Sequence, residues 1–300
     1  RACLPSPPLP VDSPRDVLGI DLGGTNIRVG RVDGRTLSRV ESAPTPADGT
    51  AEDVVHRMHS LIERFEVDAV DGIGIGVPSV VDVETGVVYD VQNIPSWTEV
   101  PVKALLEDRY DVPVHVNNDA NCFALGEFYF GKGQDQPSMI GLILGTGFAG
   151  GVVLNGRLYA GPHCGAGEFG MLPYKDSVFE HYCAGLFFER QGLDGEAVFE
   201  RAQSGDDEAL ALFRELGHHL GMALKAVLYT YDVPFLVFGG SVRHAYPYFS
   251  DSMWEAVNTF AYSPMLDRLT IRLSELDHVA ILGAAALVYN AAPSASLPTP

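Results

Sequence analysis

The chain has 300 residues, is 46% hydrophobic and has a mean hydropathy of +0.08, enough for a full core in one large or two medium domains. Apolar runs stay well short of the roughly 18 residues that a membrane-spanning helix needs, so no membrane partner is expected. Twenty basic residues against 39 acidic ones give a net charge of −19, which disfavours DNA or RNA as a partner.

The ends read as loose. Residues 1–14 are rich in Pro and Ser and have no basic stretch followed by an apolar run, so they do not form a signal peptide. Together with 291–300 they are expected to be disordered. The cysteines, Cys3, Cys122, Cys164 and Cys183, form no C-x-x-C pair and suggest neither a disulfide framework nor a zinc cage. Buried or idle thiols in a reducing cytoplasm are the expectation. Only Lys103, Lys132, Lys175 and Lys225 are lysines. Scarce Lys beside abundant Asp and Glu fits a high-salt cytoplasm or an ordinary solvated surface equally well.

The first element is a strand-turn-strand from Gly19 to Gly34. Its turn, Asp21-Leu-Gly-Gly-Thr-Asn26, has Gly23 and Gly24 to let the backbone bend and bring N–H groups near a ligand. Thr25 adds a hydroxyl. Asp21 would repel phosphate, so its useful role is to hold a Mg²⁺ ion through water. An ordinary glycine hairpin is the plain alternative. Asp53 to Phe65 has helical apolar spacing, and Gly72 to Val77 is a short buried strand. Its Gly-x-Gly-x-Gly run is not a dinucleotide fingerprint, because the third glycine comes too early and Pro78 blocks a helix start. Val102 to Tyr110 is helical, Val114 to Val116 a strand and Ala120 to Phe130 a helix. Between these last two lies Asn117-Asn-Asp-Ala-Asn121. Asp119 there is either a helix cap or a general base for an attacking hydroxyl, which phosphoryl transfer to an alcohol requires. Asn118 could orient the same hydroxyl.

The segment Gly141 to Gly156 repeats Gly19 to Gly34: Gly19 falls on Gly141, Leu22 on Leu144, Gly23 on Gly145, Val32 on Leu154 and Gly34 on Gly156. Each copy ends in a hairpin dipeptide, Asp33-Gly34 or Asn155-Gly156. Two similar halves imply two related domains with a cleft between them. The second turn, Gly145-Thr146-Gly147, lacks a carboxylate and suits the remaining phosphates. No G-x-x-x-x-G-K-[ST] loop exists. Tyr159 to Tyr174 reads as irregular and glycine-rich. Helices follow at Phe179 to Gln191, Gly195 to Gln203 and Asp207 to Tyr231. A strand, Phe235 to Phe238, runs into Gly239-Gly240. Asp251 to Phe260 is helical, Leu269 to Leu273 a strand and Ala280 to Tyr289 a compact Ala-rich helix. The alternation predicts an α/β protein, and the hairpins predict mixed sheets.

Five motifs occur in order: Asp21-Leu-Gly-Gly-Thr-Asn26, Asn117-Asn-Asp-Ala-Asn121, Leu144-Gly-Thr-Gly147, Gly165-Ala-Gly-Glu-Phe-Gly170 and Val237-Phe-Gly-Gly-Ser241. In this the chain, from about Val17 to Tyr289, resembles the ROK family (repressor, open reading frame, kinase) of the sugar-kinase, actin and heat-shock ATPase superfamily. The resemblance implies a two-domain actin-like, ribonuclease-H-like ATPase fold with an interdomain cleft. It implies a small domain of 15–117 plus 287–300 and a large domain of 118–286. It also implies ATP and Mg²⁺ use, and phosphorylation of a hexose, typically at its 6-hydroxyl. By position, Asp119 matches the catalytic base and Asp21 the metal-associated Asp. Gly23, Gly24, Thr25, Asn26, Gly145, Thr146 and Gly147 match the phosphate turns, and Gly239 and Gly240 the adenosine turn. Pro78, Ser79, Asn93, Asn118, Asp119, Glu168 and Glu180 match the sugar side. A surface charge is the plain alternative for Glu168 and Glu180.

One stretch departs from the family pattern. Most members carry Glu-x-Gly-His and a C-x-C-G-x-x-G-C loop that binds structural zinc. Here the His position is Met171 and the loop shortens to Leu172-Pro-Tyr-Lys-Asp-Ser-Val-Phe179, so no zinc is expected. His163 or His181 could compensate for the lost His. The expected activity is glucokinase-like or hexokinase-like, with an amino-sugar kinase or a fructokinase as the alternative. A sugar-sensing repressor, which the family also contains, needs an N-terminal helix-turn-helix, and about twenty Pro-rich residues before Asp21 offer no room for one. A homodimer is expected from the resemblance alone.

Overall fold

The structure is a computed structural model and describes residues 16–291. The expected loose segments 1–14 and 292–300, and Cys3, lie outside these residues. Ala291, expected to belong to the tail, closes the last helix.

In chain order the elements are β1 (Asp16–Leu22), β2 (Asn26–Asp33), β3 (Thr36–Pro44), α1 (Ala51–Ile62), β4 (Gly72–Val77), β5 (Val80–Val81), β6 (Val88–Tyr89), β7 (Glu99–Val100), α2 (Val102–Tyr110), β8 (Val114–Asn118) and α3 (Asp119–Phe130). There follow β9 (Met139–Leu144), β10 (Phe148–Leu154), β11 (Arg157–Leu158), β12 (Pro173–Tyr174), β13 (Ser177–Val178), α4 (Glu180–Cys183), α5 (Leu186–Glu189), α6 (Gly195–Gln203) and α7 (Asp207–Tyr231). The last are β14 (Phe235–Gly239), α8 (Tyr246–Val257), α9 (Ser263–Leu266), β15 (Thr270–Leu273) and α10 (Val279–Ala291).

Two five-stranded sheets share one plan. The first has the order β3-β2-β1-β4-β8 and the second β11-β10-β9-β14-β15. In the first, β1 runs antiparallel to β2 and parallel to β4, and β4 runs parallel to β8. In the second, β14 is parallel to both β9 and β15. The internal repeat therefore extends beyond its motif to the order of whole sheets. The hairpin dipeptides behave as expected: Gly34 has φ 56°, Asn155 φ 50° and Gly156 φ 78°, the left-handed values that such tight turns demand. The mixed α/β architecture anticipated from the sequence is present.

Contacts divide the chain into two units. Among the described residues, one holds 16–138, 151–166 and 275–291; the other holds 139–150 and 167–274. This differs from the expected division at 117/118 and 286/287, because α3 and the whole of α10 pack on the first sheet. Helix α10 is apolar all round, and such a helix must be covered on every side. Paired glycines on β1 and β4, Gly19 and Gly74, let its backbone lie close to the sheet. A Cβ on Gly74 would fall 1.8 Å from the Ala284 carbonyl oxygen, and one on Gly19 would fall 2.1 Å from that of Ile281. Gly19 therefore serves packing, not the phosphate turn that follows it.

On the first unit, α1 is held by a capping box between Thr50 and Asp53 and buries Val54, Met58, Leu61 and Ile62 in the same core as Leu18, Ile20, Ile73 and Ile75 of the sheet. In the second unit, Asp206 caps α7 and left-handed Asp232 ends it. No helix among the described residues is long and apolar enough to cross a membrane.

Candidate active site

Parallel strands collect functional groups at their carboxyl ends, where the chain leaves the sheet. In the first unit this places three expected segments side by side. Asp21 near the end of β1 pairs in register with Gly76, and Gly76 and Val77 of β4 pair with Asn117 and Asn118 of β8. Pro78 and Ser79 follow β4, and Asp119 follows β8. Pro78 and Ser79 are half-buried, and the Ser79 hydroxyl donates to the Tyr89 carbonyl.

Asp119 is the first residue of α3, and Asn118, not Asp119, is the helix cap. The Asn118 Oδ1 accepts from the Asn121 N–H at 2.8 Å, and its Nδ2 points to the Cys164 carbonyl at 3.4 Å. The capping alternative for Asp119 is thereby taken by its neighbour. One Asp119 oxygen, Oδ1, accepts from the Ala120 N–H at 2.8 Å. Asp119 keeps accessible surface although protein surrounds most of it. The accessibility decides whether a substrate can reach it; the surrounding mass decides its charge. Burial pushes its carboxyl above the ordinary Asp value, helix-end N–H groups pull it back, and the negative charge of Asp21 adds to the rise.

Sequence reasoning passed over what holds this strand end. The Asn117 Oδ1 accepts from the Asn118 N–H at 2.9 Å, from the Asn121 Nδ2 at 2.8 Å and from the Cys164 thiol at 3.1 Å. Cys164 is buried and has a left-handed backbone, φ 57°. It is thus an engaged thiol rather than an idle one. Cys122 and Cys183 are also buried, and burial raises both thiols.

Asp21 is mostly buried, which raises its carboxyl, while Arg28 partly reverses the shift. The Arg28 Nη1 lies 3.3 Å from the Asp21 Oδ2, since the two face each other across the β1–β2 hairpin. Among the described residues, no three His, Cys, Asp or Glu side chains gather to hold a metal ion. A metal at Asp21 would have one protein carboxylate and would complete its shell with water and phosphate oxygens. That donor set fits Mg²⁺, which keeps several waters.

The first turn is strapped from outside. Thr45 donates its N–H to the Thr25 carbonyl at 2.9 Å and its hydroxyl to the Gly23 carbonyl at 2.6 Å. The Gly23 N–H is spent on the Asn26 carbonyl, so any anion would have to use the N–H groups beyond it. Thr25 is exposed. Asn93 is exposed and lies against this turn: a Cβ on Gly24 would fall 2.4 Å from the Asn93 Cβ.

In the second unit the corresponding turn, Gly145–Gly147, follows β9. The Gly145 N–H bonds to the Gly147 carbonyl, and the N–H groups of Gly185 and Leu186 hold the Gly145 and Thr146 carbonyls at 2.8 and 2.9 Å. Thr146 is exposed. Gly239 pairs with Ile143, and Gly240, at φ 79°, turns against the end of β9; a Cβ there would meet the Leu144 carbonyl oxygen at 2.2 Å. Gly239-Gly240 therefore adjoins the Gly145–Gly147 turn. Glu180 opens α4, and its Oε2 reaches the Phe148 N–H at 3.4 Å. The same oxygen lies 2.7 Å from where a Gly147 Cβ would be. Glu168 is exposed at the head of a single 3-10 turn, Phe169–Met171, and Met171 is 57% exposed. Residues 173–178 form the small β12–β13 hairpin. The His181 Nδ1 contacts the Ser177 hydroxyl at 2.6 Å, and His163 is exposed near Asp82.

The defining sequence pattern of the ROK family matches residues 17–291. A ROK hexokinase from Thermus thermophilus shares 32% identity and superposes with a TM-score of 0.78, over 91% of this chain and 98% of that one. A ROK family glucokinase from Streptomyces griseus, solved in complex with glucose and AMPPNP, shares 27% identity with a TM-score of 0.73, over 91% and 98%. An N-acetyl-D-glucosamine kinase from Salmonella dublin is 31% identical over 75% of this chain and 84% of that protein.

Proposed function

The chain belongs to the ROK family and is a sugar kinase of the actin-like, ribonuclease-H-like fold, and from that premise we propose that it transfers the γ-phosphoryl group of ATP to the 6-hydroxyl of a glucose-type hexose with Asp119 as general base. The observation that carries the reading is Asp119 itself. It stands at the carboxyl end of β8, is accessible, and has a carboxyl raised toward the range where a base can both accept and release a proton.

In this reading the sugar oxygen bonds to the γ-phosphorus as the bond from phosphorus to the ADP oxygen breaks, and the hydroxyl proton passes to Asp119. Gly24, Thr25, Asn26, Thr146 and Gly147 receive the phosphates, and Gly23 and Gly145, whose N–H groups are spent within their own turns, shape those turns. Gly239 and Gly240 bound the adenosine. Pro78, Ser79, Asn93, Asn118, Glu168 and Glu180 receive the sugar. Asp21 would hold Mg²⁺, which would supply positive charge to the phosphate oxygens. Arg28 shares that carboxylate and supplies positive charge beside it. The Asn118 amide oxygen accepts one bond in the cap and Nδ2 gives one hydrogen toward the Cys164 carbonyl, so each keeps one site for a hydroxyl.

A second reading, an amino-sugar kinase acting on N-acetylglucosamine or N-acetylmannosamine, is favoured by the 31% identity to the Salmonella enzyme. Glucose, mannose, fructose, N-acetylglucosamine and N-acetylmannosamine, each assayed with MgATP and coupled ADP detection, separate the two. Glucose should give the highest kcat/KM. A preference for an N-acetylated sugar selects the second reading, and no ADP with any of the five defeats both.

A further inference from the structure

Glu180 follows directly on a hairpin too small to stand alone. Strands β12 and β13 make only two residue pairs, Pro173 with Val178 and Tyr174 with Ser177. Side chains of α4 hold one end of it, His181 on the Ser177 hydroxyl and Tyr182 on the Asp176 carboxylate, and beyond that segment the hairpin is anchored on His219 of α7. This imidazole is 3% exposed, one of few buried polar side chains.

Its Nδ1 lies 3.0 Å from the Tyr174 hydroxyl and its Nε2 lies 3.2 Å from the Lys175 ammonium. The Glu215 Oε1 stands 3.5 Å from the same Nε2, so an ammonium and a carboxylate share that edge of the ring; with Nε2 accepting from Lys175, the proton sits on Nδ1, which donates to the Tyr174 oxygen. Aromatic packing surrounds the pair. The Tyr174 ring stacks on Phe179 with centroids 4.3 Å apart. Tyr182 sets its edge against both Tyr174, at 5.3 Å, and His219, at 5.2 Å. The Lys175 ammonium lies 5.0 Å from the Tyr182 ring centroid. Phe179 and Tyr182 bracket Glu180 in the chain. Burial and the Lys175 charge hold His219 below the usual His value, as expected of a neutral acceptor.

We propose that His219 is a positioning residue of the sugar site: by binding Tyr174 and Lys175 it locks the 173–178 hairpin onto α7 and so fixes the start of α4, where Glu180 sits. The role rests on the reading of Glu180 as a sugar contact. His219 itself touches neither substrate in that reading. An apolar ring of similar size would fill the space but leave the Tyr174 hydroxyl and the Lys175 ammonium without this partner.

The test compares the full chain with its His219→Phe and His219→Gln variants, by hydrogen exchange of residues 172–182 and by steady-state kinetics. In His219→Phe, exchange in that segment should quicken at least about tenfold. The sugar KM should rise about 5- to 30-fold, as two hydrogen bonds of typical net strength imply. The ATP KM and kcat should stay within about threefold. His219→Gln, whose amide carbonyl can accept from Lys175, should recover part of the loss. Unchanged exchange in 172–182 overturns the proposal. So does faster exchange with an unchanged sugar KM, provided that Glu180→Gln raises that KM. If Glu180→Gln leaves it unchanged, the sugar role of Glu180 fails instead, and exchange alone decides whether His219 is the lock. Should His219→Phe not fold, Tyr174→Phe, which removes one of the two bonds, carries the same comparison.

Discussion

A carboxylate proposed to take a proton from a sugar hydroxyl must be open to the substrate, and Asp119 is exposed at its strand end. Its neighbours also shift its proton affinity: burial raises its carboxyl, and Asp21 adds to the rise. The base works only when ionised. Activity should therefore be present at neutral pH and be lost as pH falls through the raised value. The acid limb of kcat/KM for sugar should lie above about 3.9, the free Asp value. Kinetics between pH 4 and 8 check this, and a limb at or below the free value would contradict it. At this scale the sequence was informative where a motif carries the residue. Asp21, Thr25, Asp119 and Thr146 could be singled out because strand, turn and helix signals surround them. Partners joined only by folding were not visible. Cys164 and Asn117 are 47 positions apart, and Tyr174 and His219 are 45. Arg28 was the accessible exception: a three-residue turn sets it opposite Asp21, and counting along the hairpin would have found it.

Elements were legible where apolar periodicity is long or a turn is sharp. Helices α2, α6 and α7 and strand β4 have the expected bounds. Strand β3 was missed because its residues are mostly polar and partly exposed at the sheet edge, which leaves no buried face to alternate. Strands β5 to β7 are two residues each, too short for a period. Phe179 to Gln191 was expected as one helix and is two short turns. The break falls at Ala184 and Gly185, where the Gly185 N–H leaves the helical pattern to hold the Gly145 carbonyl. Helix α8 starts at Tyr246 rather than Asp251, with Pro247 in its first turn, a position where proline suits a helix start. The glycine run of β4 reflects packing, Gly72 and Gly74 against α10 and Gly76 against Cys122 of α3. Gly74→Ala should therefore lower stability by about 1–3 kcal/mol or more, since its new methyl would overlap the α10 backbone. Thermal or denaturant unfolding reads this, and an unchanged midpoint would show that α10 can move aside freely.

For the whole molecule, the duplicated sheet plan is the strongest link between sequence and function. Each sheet places a glycine turn after its first strand and further functional residues after the parallel strands beside it. Only the first copy has an aspartate at the turn, and the proposed Mg²⁺ site is placed at Asp21 for that reason. The charge of −19 bears on solubility and disfavours nucleic acid, and it leaves the chemistry untouched. The kinase relatives establish a sugar kinase, and in the proposed reading the identity of the sugar rests on the stretch from Glu168 to Glu180. The central claim, that Asp119 is the base of phosphoryl transfer, is tested most directly by Asp119→Asn, with kcat and sugar affinity measured on the same preparation. The account predicts a kcat lower by at least ~10², the usual effect of losing a general base, with sugar still bound. Turnover equal to the unaltered enzyme would contradict it.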